Sequence, residues 1–445
     1  MTTPHAAAVD AVNEIARRLA DPEALRHGVL QGGAWVQHAQ GVRVPAFIPL
    51  SFGSGYPAAA LLFAELGRRD PSYREVAHRH LTKAAEHVAG LGAGVEVGGL
   101  HGGIGALAFA LRMAAHRAGA YTTILKKLDD ALHRQCRRLV ASETDRMARG
   151  EPVAFHTYDT VSGLTGLGRY LLLAGGPGQG ELKEVLACLV ALTEPTAHVD
   201  GRSARRPGWW AGHPPFLGER GPREHANLGL AHGIAGPLAL LALAWEAGIR
   251  VPGQDRAVQR VVDWLLDNRG FDEAGAYWPA FVAGAPAGPS TGGPRGVPKR
   301  WGPAWCYGSL GTARAVQLAG RAFNEREWVG AASAAITAEA ARIQELTEGD
   351  CGLCHGWAGH LQVLSRFERD VPGTVPAGLA DLLAERVLAG ARLESAFLFP
   401  FQRPDGSVAD EPGLLQGAVG VALALTHYTD PDAPGTEWDA ALLLG

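Results

Sequence analysis

The sequence predicts an all-α fold: seven helical hairpins closed into an α/α toroid, with glycine-rich loops leading into the inner helices. Three observations predict it. Glycine is over-used, at 59 of 445 residues, about 13% against an ordinary ~7%, with no collagen period. A short phrase, glycine, two residues and a small residue before an Ala/Leu-rich run, returns seven times. Segments with helical charge and apolar periodicity lie between the copies, and strict strand-type alternation is nearly absent.

The copies run in order through the chain. Gly55-Tyr-Pro-Ala58 precedes Ala59–Leu66, and Gly102-Gly-Ile-Gly105 precedes Ala106–Leu111. Gly163-Leu-Thr-Gly166, Gly233-Ile-Ala-Gly236 and Gly308-Ser-Leu-Gly311 follow, then Gly356-Trp-Ala-Gly359 and Gly417-Ala-Val-Gly420. The first glycines are 47, 61, 70, 75, 48 and 61 residues apart. The runs after them are apolar nearly all round, as helices buried on every side must be. The outer helices are expected at Pro71–Ala89, Thr123–Ser142, Asp255–Asn268, Glu325–Thr347 and Leu379–Ala391. Glycine at the head of an inner helix lets helices crowd, allows a sharp lead-in loop and leaves backbone N–H groups exposed. An open superhelical solenoid is the alternative. Closure is favoured because neither terminal repeat resembles a polar cap. The whole chain, 1–445, is read as one domain, with a Gly/Pro-rich loop inserted at Val282–Pro303.

Composition narrows the function. Apolar residues make up 47% and charged residues 19%, with a net charge of −4. A large core can therefore be buried, and no basic cluster argues for nucleic acid or an anionic membrane. The most membrane-like stretch, Leu228–Trp245, contains His232, Pro237 and three glycines. It is read as a buried helix with its lead-in loop rather than a span. The N-terminus lacks a basic stretch followed by an apolar core, so no secretory signal is expected. Five cysteines, an odd and sparse count, do not make a disulfide framework. The chain is expected in the reducing cytoplasm.

The residue before each first glycine should face a common region. Those residues are Ser54, His101, Ser162, His232, Tyr307, His355 and Gln416, a polar row in an apolar layer and thus a ligand or metal candidate. Trp305-Cys306-Tyr307-Gly308 opens the fifth repeat and Cys354-His355-Gly356 the sixth. Two thiolates and an imidazole suit zinc, and three protein ligands leave a fourth position for water or substrate. Helix N-termini favour the thiolate forms. The other readings are two buried free cysteines with a core histidine, haem attachment at Cys351-Gly-Leu-Cys354-His355, and a redox dithiol in the same motif.

These motifs, with Asn227-Leu-Gly-Leu-Ala-His232-Gly-Ile-Ala-Gly236, make the chain resemble the lanthipeptide synthetase C family through all seven repeats. The resemblance implies an α/α barrel with zinc at one end of its cavity. It implies addition of peptide Cys thiols to dehydroalanine or dehydrobutyrine, closing thioether rings. Carried over by position, it implies zinc ligands Cys306, Cys354 and His355, with His232 as acid/base. It also implies active-site roles for Asp159 and Tyr307. One position departs: the arginine often found four residues before the zinc cysteine is Gly302 here. Arg300, beside Lys299, is the substitute considered. The implied partners are a dehydrated precursor peptide with a leader segment, a separate dehydratase and an exporter complex.

The chemistry can be reasoned from the residues. A thiol with a pKa near ~8.5 is mostly protonated at neutral pH. A metal site would deprotonate it, and the thiolate would attack the β-carbon. An enolate would form, and His232 would protonate its α-carbon. Asp159 either orients His232 or caps the helix of the third repeat. His101 and His156 share the neighbourhood but are assigned no role. A glutathione (small-thiol) transferase to dehydro residues and a non-catalytic peptide-binding barrel are the alternatives. Glycan or terpenoid chemistry lacks a carboxylate pair or Asp-rich motif. The length around the repeats leads to the expectation of a stand-alone cyclase.

Overall fold

The computed structural model describes residues 3–32, 35–37, 43–91, 98–117, 119–195, 206–215, 224–283, 299–403, 406–433 and 435–445. Among them are fifteen α-helices and four two-stranded sheets. The chain divides into two compact units, one of 1–132 with 344–440, the other of 133–343 with 441–445.

The first unit holds α1 (Pro4–Leu19), α2 (Pro22–Gln31), α3 (Tyr56–Leu66), α4 (Ser72–Leu91) and α5 (Gly103–Ala114). It also holds α13 (Trp357–Asp370), α14 (Leu379–Ala389) and α15 (Ala418–Thr429). The inner helices pack in the order α13, α15, α3, α5. Every residue of α3 is buried, as its nearly all-apolar sequence requires; the one charged residue, Glu65, accepts from the Thr436 N–H and hydroxyl at 2.7 and 2.6 Å. Outer α4 packs on α3, and α14 on α13. α1 starts at an N-cap, Thr3, whose side chain accepts from the Ala6 N–H, with Pro4 in the first turn.

The second unit holds α7 (Leu164–Ala174), α8 (Gln179–Leu192), α9 (Ala235–Glu246), α10 (Gln254–Asp267) and α11 (Ser309–Phe323). Inner α7 packs on α9 and α9 on α11, with α8 and α10 outside them. α10 buries Ala257, Val258, Val261, Val262 and Leu265, one helical stripe. Two further outer helices, α6 (Thr122–Ala148) and α12 (Arg326–Glu345), run across the boundaries of the units. The expected outer helices thus recur as α4, α6, α10, α12 and α14, each within a few residues. The membrane-like stretch is the buried α9 and its lead-in loop. No helix among the described residues is long and apolar enough to cross a membrane.

The glycines act mainly through space. Of the first glycines only Gly308 has a left-handed backbone, at φ +85°. In the second, fifth, sixth and seventh copies the second glycine is the tighter one. A Cβ on Gly311, Gly359 or Gly420 would collide with the carbonyl oxygen of Trp305, Leu353 or Leu414, six residues back in each case. The same residues donate their N–H to a carbonyl seven back, Gly311 to Ala304 at 3.2 Å, Gly359 to Gly352 at 3.2 Å and Gly420 to Gly413 at 3.3 Å. These N–H groups at the helix heads are therefore bonded to their own lead-in loop rather than exposed.

The sequence showed almost no strands, yet β1 (Trp35–Gln37) pairs with β2 (Arg43–Pro45), and β4 (Gly270–Asp272) with β5 (Gly275–Tyr277). β7 (Phe401–Gln402) pairs with β8 (Val408–Ala409). β3 (His225–Asn227) pairs antiparallel with β6 (Phe281–Ala283), placing Asn227 opposite Phe281. Val282 and Ala283, read as the start of the inserted loop, belong to that strand. Most of the expected loop, 284–298, lies outside the described residues.

Candidate active site and metal ligands

In the second unit, Asp159 and His232 meet across 73 residues of sequence. His232 Nδ1 lies 2.6 Å from Asp159 Oδ2. Asp159 is fully buried, and its Oδ1 accepts from the backbone N–H groups of Ser162 at 2.7 Å and Gly163 at 2.9 Å. Asp159 does not cap the helix of the third repeat, whose N-cap is Gly163 with no side-chain cap hydrogen bond: one oxygen braces the loop leading into α7, and the other holds the imidazole. His232 keeps Nε2 for other partners, and its side chain is 30% exposed. Thr160 ties the two loops together, its N–H donating to the Ala231 carbonyl at 3.0 Å and its hydroxyl to Leu230 at 2.7 Å.

The His232 loop is also fixed against the loop that carries Cys306. A Cβ on Gly229 would collide with the Cys306 carbonyl. That carbonyl accepts from the Ala231 N–H at 3.4 Å. Cys306 itself is buried. Tyr307 lies with its ring centroid 6.2 Å from that of His232.

Arg300 is placed elsewhere in the same unit. Its guanidinium donates to both oxygens of Asp272 at 2.6 Å, to Glu339 and to the Gly275 carbonyl, and it lies 4.4 Å over the Tyr277 ring. Asp272 is correspondingly held below the usual carboxylate range, chiefly by those hydrogen bonds. The guanidinium thus braces the β4–β5 hairpin against α12. His156 is exposed in a short 3₁₀ turn. His101, in the first unit, is buried against Phe52.

Also in the first unit, Cys354 and His355 sit at the head of α13. The Cys354 N–H donates to the Leu415 carbonyl at 2.8 Å. His355 Nε2 lies 3.1 Å from Asp350 Oδ2, a partner that sequence reasoning missed. Asp350 Oδ1 accepts from the Gly352 N–H at 2.7 Å. Burial works to raise the Asp350 pKa, but the His355 contact and the Gly352 N–H together hold it below the ordinary carboxylate value. Cys351, the other cysteine of the motif, points its thiol at the Val387 carbonyl 3.6 Å away, and burial pushes it up to about 12. Such a thiol is a poor thiolate source.

One ligand atom each from Cys306, Cys354 and His355 lies within 4.8 Å of the others, a group that could hold a metal ion. Two sulfurs and one imidazole nitrogen suit zinc, and three donors leave a fourth position open.

The family described as lanthionine synthetase C-like protein matches residues 46–443. The chain belongs to that family, the family of the lanthionine cyclases. The nisin biosynthesis protein NisC of Lactococcus lactis subsp. lactis is 22% identical over 424 residues, covering 89% of this chain and 90% of the relative. A solved nisin cyclase superposes with a TM-score of 0.70 at 20% identity, covering 89% of this chain and 92% of that one. That likeness shows the fold, an α/α toroid rather than an open solenoid.

Proposed function

We propose that this chain is a zinc-dependent lanthipeptide cyclase that adds peptide Cys thiols to dehydroalanine or dehydrobutyrine residues. The observation that carries the reading is the donor set of Cys306, Cys354 and His355 in a chain of this family. Those three residues would hold the zinc. When bound, it supplies the acidity that converts a substrate thiol into a thiolate at neutral pH.

The remaining chemistry falls to the chain's own side chains. The thiolate sulfur bonds to the β-carbon, the C=C π pair moves onto the amide as an enolate, and the α-carbon then takes a proton. His232 delivers it from Nε2, the nitrogen opposite Asp159. Asp159 fixes the ring orientation and tautomer and balances the charge of the imidazolium. Tyr307 borders the same imidazole. Arg300 has its guanidinium committed to Asp272 and Glu339, so an enolate contact from it would require breaking that network. The substrate is a dehydrated precursor peptide with a leader, supplied by a separate dehydratase in the cytoplasm, with an exporter complex downstream.

Ring closure leaves the peptide mass unchanged, so the test counts free thiols. A dehydrated, Cys-containing peptide is incubated with the zinc-loaded protein and then alkylated. Loss of alkylatable thiol with the protein, and none with Cys354→Ala, is expected. Full alkylation in both would overturn the reading. Transfer of added glutathione in preference to ring closure would select the small-thiol transferase instead.

A further inference from the structure

Around His232 the second unit arranges six rings in a closed circuit. Centroid separations are 5.3 Å from His232 to Phe155, 4.9 Å from Phe155 to His213 and 6.2 Å from His213 to His225. They continue at 5.5 Å from His225 to Phe281, 5.6 Å from Phe281 to Tyr307 and 6.2 Å from Tyr307 back to His232. Trp301 extends the circuit, 5.7 Å from Phe281, and is 38% exposed. Phe155, Phe281, Tyr307 and His232 are each partly exposed as well. A contiguous, partly exposed aromatic surface beside a catalytic-type imidazole is a binding surface rather than a core.

Its polar content is specific. The His213 Nδ1 lies 2.9 Å from the Pro214 carbonyl. A carbonyl only accepts, so Nδ1 carries the hydrogen, and in the neutral ring Nε2 is an acceptor. That Nε2 is buried and has no hydrogen-bond partner among the described residues. A buried acceptor left unpaired costs free energy that a ligand N–H would recover. The His213 ring itself is flanked by the rings of Phe155 and His225.

We propose that this aromatic circuit is the acceptor subsite, binding the planar dehydro residue against Phe155, Phe281 and Tyr307 while His213 Nε2 accepts its backbone N–H. The inference rests on the cyclase reading above. Both a dehydro residue and a saturated one of the same size carry the N–H donor, but only the dehydro residue is a conjugated, planar enamide that lies flat on aromatic faces. Held there, its α-carbon lies beside His232, which has the proton to give. His213 is then a substrate-binding residue, and Phe155 links it to His232.

The test uses a short Cys-free peptide with one dehydroalanine, and its alanine counterpart, titrated into the zinc-loaded protein and followed by NMR line shifts. The wild type should bind the dehydroalanine peptide about tenfold more tightly than the alanine one. Phe155→Leu, which removes a flat face, should lose most of that preference. His213→Ala should weaken binding of both peptides about tenfold, because both carry the backbone N–H, and His213→Gln, which keeps an acceptor oxygen, should restore part of that binding. Zinc content should be unchanged in all three. Equal binding of both peptides by the wild type, or undiminished binding of both by folded His213→Ala, would overturn the subsite. Cyclisation of a Cys-containing peptide by the same preparations tests the parent reading separately. A wild type that cyclises and a His213→Ala variant with unchanged KM and kcat would remove the subsite and leave the cyclase standing.

Discussion

Two Asp–His pairs sit at the heads of inner helices, and they are built in opposite senses. In the second unit Asp159 takes the Nδ1 of His232, at 2.6 Å. In the first unit Asp350 takes the Nε2 of His355, at 3.1 Å. Each aspartate spends its other oxygen on backbone N–H groups of its own loop, so neither can swing away cheaply. The first pair therefore presents Nε2 at the outer end of the ring, where a proton can be exchanged with a substrate. The second has its ring held by Nε2 instead. On the proposed function, the same residue types in the same repeat register would divide into an acid/base and a metal ligand by the choice of nitrogen. The difference also shows in the chain: Asp159 reaches its histidine across 73 residues, whereas Asp350 belongs to the loop of its own histidine.

The largest effect should come from the first pair. His232→Ala should lower the cyclisation rate about 10²–10⁴-fold without loss of zinc, measured by thiol alkylation and metal analysis on one preparation. Loss of zinc there would erase the distinction between the pairs. Asp159→Asn should slow turnover by about 10²-fold or more. It should also leave binding of a dehydrated peptide nearly intact, because the amide oxygen can still brace Ser162 and Gly163. Asp350→Asn should do the converse. Zinc affinity, read by competition with a chelator, should fall about 10–100-fold. The rate at saturating zinc should hardly move; a large fall in that rate would make Asp350 part of the chemistry.

Cys351→Ala should be nearly silent in both assays. Its thiol is half-buried against the Val387 carbonyl and pushed up to about 12 by desolvation, so a strong phenotype would revive the redox-dithiol reading. The smallest effect concerns pH and stability. Burial pushes His80 and His427 of the first unit, and His225 of the second, down to about 4. The unfolded chain takes up protons at these sites near the ordinary ~6.5 and the folded chain does not. Their contribution is therefore fully present above pH ~6.5 and is lost as pH falls towards about 4. The melting temperature should fall through that window, and His225→Phe should flatten part of the decline.

Much of this was legible in the sequence because the repeat is. The glycine phrase located every inner helix, and helical periodicity located five outer ones. Asp159 and His232 could be named from the residues around them, but their contact crosses two repeats and no local pattern encodes it. Asp350 is hard to read from the sequence because a single acid in a loop has no periodicity that ties it to a histidine; its place five residues before a ligand-type histidine is the signal it gives. Phe155, His213, His225 and Phe281 were missed for a different reason. They sit in irregular loops and two short strands, three residues each, too short to show alternation. Only the pairing of β3 with β6 brings His225 near Phe281. Arg300 shows the reverse limit: a basic residue near the right position in sequence is bound to Asp272 and Glu339 in space.

The division of labour between the two pairs is tested most directly by zinc content. Wild type, Cys354→Ala and His232→Ala would be purified without chelator and assayed together by elemental analysis. About one zinc per chain is expected in the wild type and in His232→Ala, and almost none in Cys354→Ala. Zinc retained by Cys354→Ala, lost from His232→Ala, or missing from the wild type would contradict it.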